Sequence, residues 1–266
     1  MIIQWKKRKR SKNNPYACQN VNVFEGDTYL VSYPKSGNTW LRFLIANLLA
    51  RNPKEVSLSG LEKVVPDVYR NTNEELALLP RPRVLKSHES FAPKYKKVIY
   101  VVRDPRDVAV SYYHHLIKSR KIEEGYPLQD WIEEFVQGRY VPQFGTWKQN
   151  VGSWVGARQG DEDFLLISYE QLLDNGLEVL KRISAFLELK VSIEKIKEAI
   201  LLSSADRMRK IEAQENWQPS LGDMRSDKRF VRSAKSGGWK EELSPKSADL
   251  IFQNWGDLMQ SLGYLE

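Results

Sequence analysis

Apolar residues fall into four short, nearly continuous runs: TYLVS at 28–32, RVLKS at 83–87, KVIYVV at 97–102 and FLLIS at 164–168. Runs of this length and density predict strands buried on both faces. Between and after them the apolar spacing turns helical. Trp40, Leu44 and Leu48 recur every four residues with Leu41 and Ile45 beside them, and similar patterns occupy 105–119, 127–137, 144–157, 176–187, 192–202 and 244–261. Strands alternating with helices predict an α/β fold, a three-layer α/β/α arrangement around a central parallel sheet of about four to five strands. Ligands of such sheets sit beyond the carboxyl ends of the strands. The stretch 213–243 breaks the pattern. It is polar, rich in Gly and Lys and without clear period, which predicts a lid or binding loop.

Length and composition narrow this further. The 266 residues, 41% of them apolar, suffice for one large core, so a single domain is expected over 21–266. No run approaches the ~18 apolar residues of a membrane span. The start, MIIQWKKRKRSKNN, carries charge where a secretion signal needs an apolar stretch. Cys18 has no second cysteine to pair with, which fits a reducing compartment. A cytoplasmic protein without a membrane span is the expectation. The net charge of +7 is mostly local: six of the 41 basic residues lie within 6–12, leaving 35 against 34 acidic ones. A run of that kind can touch RNA or anionic lipid. The plainer reading is a solvated, mobile tail over 1–20 and no specific nucleic-acid partner.

Candidate chemistry lies at two of the strand ends. YLVSYPKSGNTWLRFLIANLL, from Tyr29 to Leu49, reads as strand, tight loop and helix. A helix start offers unpaired N–H groups and the positive end of a dipole to an anion. Gly37 permits close approach, Lys35 adds an ammonium, and Ser36, Asn38 and Thr39 add donors. An ordinary helix capped by Thr39 or Asn38 explains the hydroxyls but not the lysine. The GxxxxGK[ST] spacing of a nucleotide triphosphatase is absent. KVIYVVRDPRDVAVSYYHHL repeats the architecture, with Asp104 as N-cap, Pro105 as first helical residue and Arg103 as last strand residue. An arginine there suits a phosphate fork, while pairing with Asp107 is the structural alternative. Two such strand ends point to a ligand with two separate anionic groups.

Together these residues resemble the cytosolic-type sulfotransferase family. YPKSGNTW is similar to its 5′-phosphosulfate loop and VVRDPRDVAVSYY to its 3′-phosphate segment. VLKSH (84–88) resembles the strand ending in the family's catalytic histidine, LISYEQL (166–172) the strand whose tyrosine lies near adenine, and FVRSAKSGGWK (230–240) the late loop over the 3′-phosphate. The five motifs occur in family order. The resemblance implies a P-loop-like fold, the donor 3′-phosphoadenylyl sulfate (PAPS), the product 3′-phosphoadenosine 5′-phosphate (PAP), no metal, and a small-molecule acceptor bearing a hydroxyl or amine. By position it implies that Lys35 bridges the 5′-phosphate and the sulfuryl group, with Ser36, Gly37, Asn38 and Thr39 holding that phosphate. Trp40 would stack on adenine, Arg103 and Ser111 take the 3′-phosphate, Tyr169 and Ser203 line the nucleoside, and Arg232 close the 3′ side. His88 would be the base, with Lys86 beside the transferred group.

This chain departs from the pattern in places. Arg232 is followed by Ser233 and Ala234 where the family has Lys-Gly, and Ala205 stands where an aromatic is common. No convincing dimer segment occurs near the C-terminus, which leaves the oligomeric state open. His114 and His115 read as packing or acceptor-pocket residues. Phe135, Phe144, Trp147 and Trp154 read as core. Residues 52–82, 118–145 and 213–230 are expected to set acceptor specificity. The alternative enzyme is a P-loop kinase using ATP and Mg²⁺, disfavoured by the missing Walker spacing and the lack of a carboxylate cluster after a strand. A non-catalytic anion- or nucleic-acid-binding protein is a third reading, in which His88 has no task.

Overall fold

The computed structural model describes residues 21–50, 56–215 and 224–265. The basic tail predicted over 1–20 lies outside the described residues. Four parallel strands, β1 (Thr28–Ser32), β2 (Val84–Ser87), β3 (Lys97–Val102) and β4 (Phe164–Ser168), form one sheet in the order β2-β1-β3-β4. Each predicted run is a strand, except that β2 begins at Val84; Arg83, just before it, forms a buried ion pair with Asp27. The chain leaves β1 toward β2 on one side, then returns to β3 on the other. The carboxyl end of β1 is therefore a topological switch point, where α/β sheets open a crevice.

Burial on both faces explains the apolar runs, since successive strand side chains point opposite ways. Tyr29, Val31, Val98, Tyr100 and Val102 pack into one core; Leu30, Ile99, Val101 and Ile167 pack into another. The first core is closed by α4 (Pro105–Lys118), α5 (Leu128–Val136), α6 (Trp147–Arg158) and, from the C-terminal end, α12 (Pro245–Ser261). Its predicted core aromatics Phe135, Trp147 and Trp154 are buried there. The second core takes α1 (Asn38–Leu49), α8 (Gly176–Phe186), α9 (Ile193–Leu202) and α10 (Ala205–Glu215). The short helices α2 (Leu61–Val64), α3 (Asn73–Ala77), α7 (Tyr169–Asp174) and α11 (Trp239–Glu242) complete the series.

Two helix boundaries differ from the sequence pattern for local reasons. The helix expected from 144 begins at Trp147. Gly145 takes φ 69°, which a right-handed helix cannot continue, and Thr146 then caps α6 through a capping box with Gln149. Residues 213–215, read as the start of the polar loop, are the last turn of α10. That helix buries only Met208 and Ile211, too few apolar positions to print a period on a highly charged segment.

Candidate active site

The turn after β1 is shaped by two left-handed residues, Lys35 at φ 71° and Gly37 at φ 94°. A Cβ at Gly37 would lie 2.5 Å from Cδ2 of Tyr169, so only glycine fits there. The first helical bond of α1 runs from Leu41 N to Gly37 O, and no side chain caps the helix. The amides of Asn38, Thr39 and Trp40 are therefore left to the cavity side rather than to Thr39 or Asn38 as caps. Asn38 instead reaches back, donating through Nδ2 to Ser32 Oγ at 3.1 Å. Among the described residues the fully buried Ser36 Oγ has no hydrogen-bond partner. The Lys35 ammonium sits 4.4 Å above the centroid of Phe230. Burial, then the charges of Arg103, Arg232 and Lys118, push its pKa down to about 7.

Arg103 follows β3 and is buried, with its guanidinium 4.2 Å from the Tyr169 ring centroid. It donates to Lys235 O at 2.9 Å and lies 3.8 Å from Asp107, while its Nε has no partner among the described residues. The expected pairing with Asp107 is thus long. Asp107 accepts instead from the amides of Gly237 and Trp239, at 2.8 and 3.0 Å. This clamps the late loop to α4. Asp104 caps α4 as predicted, accepting from Arg106 N at 2.9 Å.

His88 follows β2, as the apolar run implied. Its Nδ1 lies 2.7 Å from the carbonyl oxygen of Ser32. Nδ1 must carry the proton to donate there, which leaves Nε2 bare. Burial, then the charge of Lys86, push its pKa down to about 3, against the opposing pull of the Ser32 bond and Asp67. The backbone on either side is anchored: His88 N donates to Tyr69 Oη at 3.0 Å, and Asn150 Nδ2 to His88 O at 3.0 Å. Lys86 is buried and donates to Asp67 at 3.0 Å. Burial alone would raise the Asp67 carboxyl, but Lys86, Arg42 and the Tyr69 amide bring it to about 2.

These groups share one cavity of about 510 Å³, lined by Lys35, Gly37, Asn38, Thr39, Trp40, Lys86, His88, Arg103, Ser111, Tyr169 and Arg232 among others. The size is ordinary for a ligand site. Two residues named from the sequence stand behind the wall. Ser36 is fully buried, and Ser203 accepts Asn47 Nδ2 on its hydroxyl and Trp40 Nε1 on its carbonyl. Ser203 thus orients the indole rather than facing the cavity. Arg232 meets Glu242 at 2.7 Å, and Lys235, beside it in the loop, offers its carbonyl to Arg103 instead of its ammonium.

Sequence reasoning missed Asp67, Tyr69, Asn150 and Phe230. Asp67 is placed by backbone pairing: Lys86 N donates to Pro66 O at 2.8 Å and Val68 N to Lys86 O at 3.1 Å. No local motif marks such a contact. Phe144, expected in the core, also lines the cavity and packs edge-on to His88, with centroids 5.6 Å apart. Among the described residues, no three His, Cys, Asp or Glu side chains are grouped to hold a metal ion, and no helix is long and apolar enough to cross a membrane.

Lys35 with the uncapped start of α1 at one side of the cavity, and Arg103 at the other, suit an anion with two charged ends. A sequence model of the sulfotransferase domain matches residues 25–263. A 3-beta-hydroxysteroid sulfotransferase of Cavia porcellus is 30% identical over 244 residues, covering 87% of this chain and 84% of the relative. Cytosolic sulfotransferase 12 of Arabidopsis thaliana is 29% identical over 248 residues, covering 85% and 75%. The crystal structure of mouse sulfotransferase SULT7A1 complexed with PAP superposes with a TM-score of 0.73 at 26% identity, covering 90% of this chain and 86% of that one.

Proposed function

The chain belongs to the sulfotransferase domain family, and from that premise we propose that it moves a sulfuryl group from PAPS to a hydroxyl or amine of a small-molecule acceptor. The observation that carries this reading is the convergence of two cationic strand ends on one cavity: Lys35 with the uncapped start of α1 after β1, and Arg103 after β3. The PAP in the mouse neighbour is a ligand of that double-ended kind. The kinase alternative is not favoured by either the family or that neighbour.

The donor supplies an activated sulfuryl group and leaves as PAP. Lys35 and the unpaired amides at the start of α1 hold its 5′-phosphate, Ser36 supports that turn from behind the wall, and Trp40 and Tyr169 flank the nucleoside. Arg103, Ser111 and Arg232 take the 3′-phosphate. Sulfuryl transfer, like phosphoryl transfer, is dominated by positioning and by stabilising spread charge. Lys35 and Lys86 provide that stabilisation without a metal. His88 receives the acceptor proton on Nε2, because Nδ1 is committed to Ser32. Its low pKa comes first from burial and then from Lys86; negative charge brought into the cavity offsets the second cause and raises it. Asp67 keeps Lys86 in place beside it.

The test compares ligands. Calorimetry with PAP and with AMP, on wild type and Arg103→Ala, reads the 3′-phosphate directly. Loss of a buried charge-assisted contact weakens PAP by tenfold or more, roughly 1.5–3 kcal/mol, and leaves AMP little changed. Equal weakening of both ligands rejects this placement of the donor.

A further inference from the structure

Helix α4 carries two side chains on the cavity wall, Tyr112 and His115, that neither the anion-holding groups nor the His88 arrangement uses. His115 lines the cavity one helical turn beyond Ser111, on the same face of α4. It lies roughly 15 Å along the helix from Pro105 at ~1.5 Å per residue, away from the Arg103 end. Its ring is edge-on to Phe230, with centroids 6.4 Å apart, and tilted against Tyr112 at 6.1 Å. Burial, then Lys35 and Lys118, push its pKa down to about 2, so the ring is neutral.

A neutral imidazole has one N–H donor and one bare nitrogen. Among the described residues no hydrogen bond reaches either nitrogen, and Nδ1 is fully buried. The other two histidines are engaged: His114 Nε2 meets Glu242 at 2.6 Å, and His88 Nδ1 meets Ser32. A phenyl ring at 115 would pack against the same neighbours without leaving polar atoms unpaired. Beside His115 lie the Tyr112 and Phe230 rings, and Val141 and Phe144 of the same cavity add apolar surface suited to an apolar skeleton.

We propose that His115 is a specificity-determining residue that hydrogen-bonds a second polar group of the acceptor. The enzyme then favours acceptors with a further hydroxyl or amino group on an apolar skeleton over their mono-hydroxyl counterparts. This rests on the sulfuryl-transfer reading above.

The experiment measures kcat/KM with labelled PAPS for 2-naphthol and for 2,3-, 2,6- and 2,7-dihydroxynaphthalene. Wild type, His115→Phe and His115→Gln are compared. On wild type, at least one diol exceeds 2-naphthol by about tenfold or more, since a site built for a polar group discriminates against its absence. The ratio falls to about twofold, the statistical factor for two hydroxyls, in His115→Phe, and is partly restored by the donor and acceptor of Gln. A wild-type ratio of about two or less for every diol, no turnover of any of the four, or a ratio that survives His115→Phe overturns the assignment. Calorimetry with PAP separates the two levels. Wild type that does not bind PAP rejects the sulfotransferase reading itself. A His115→Phe protein whose PAP affinity drops as far as its diol rate places His115 on the donor and overturns the acceptor assignment. His115→Leu replaces the phenylalanine variant should that one fail to fold.

Discussion

His88 and Lys35 are half-buried cation-forming groups whose pKa values are both pushed down by desolvation and by neighbouring cations. For His88 the consequence is chemical. With Nε2 bare, removal of the ring takes away the proton acceptor but no part of the anion cradle. His88→Ala is expected to lose about 10²–10⁴-fold in turnover while PAP affinity stays close to wild type; steady-state kinetics and calorimetry together check it. For Lys35 the consequence is a pH dependence. Its pKa is about 7 against an ordinary 10.5, and only the charged form holds an anion. PAP therefore binds best below pH 7 and loses up to about tenfold per pH unit above it, with proton uptake on binding. Titrations from pH 7 to 9 should show this slope in wild type and its absence in Lys35→Met.

At the scale of elements, the cradle depends on how a loop meets a helix start. Gly37 serves both the left-handed turn and the contact with Tyr169, whose ring supports Arg103. Gly37→Ala must move that ring, so PAP affinity should fall by tenfold or more and the fold should lose about 1–3 kcal/mol; urea melts and calorimetry read the two effects separately. The late loop is fixed differently. Asp107 takes two of its amides, Glu212 of α10 takes the amides of Phe230 and Val231, and Arg106 packs 4.0 Å from the Trp239 ring centroid. Ala234, where the family pattern has glycine, is consequently held at φ 53° by its surroundings.

Across the whole molecule, the cavity gathers side chains from segments as distant as Lys35, Lys86, Arg103, Tyr169 and Arg232. A ligand that bridges them binds only the folded state. PAP at about 100 times its Kd should add ~2.7 kcal/mol of stability, a thermal shift of roughly 5–10 °C for a chain of this size, and AMP distinctly less. Activity is expected to persist in EDTA, because the charge in the cavity is supplied by lysines and arginines; a loss reversed by Mg²⁺ would contradict that. The unliganded protein should also be acid-sensitive. The pKa values of His88 and His115 lie near 3 and 2 when folded, against 6.5 when free. The unfolded chain then binds more protons below pH 6.5, so stability falls as pH drops through that point. His88→Ala should flatten the slope by up to ~1.4 kcal/mol per pH unit between pH 6 and 4.5.

Much of this was legible in the chain because its causes are local. The four strands announced themselves as continuous apolar runs; β1, β2 and β3 are buried on both faces, while the edge strand β4 is mostly half-buried. The uncapped start of α1 and the Asp104–Pro105 start of α4 were readable because turns and caps act over three or four residues. Lys35, His88 and Arg103 were placed at strand ends by the same alternation. What the chain did not disclose acts between segments far apart in sequence. Asp67 reaches Lys86 through a backbone pairing no motif records, and Ser203 supports Trp40 from behind. Phe230 covers Lys35 only because Glu212 and Asp107 hold the loop that carries it. The displaced pKa values likewise depend on burial and on charges brought together by folding. Periodicity and short motifs determined which elements form and where a ligand would sit. Which side chains face one another across the cavity, and in which charge state, was decided by tertiary packing alone.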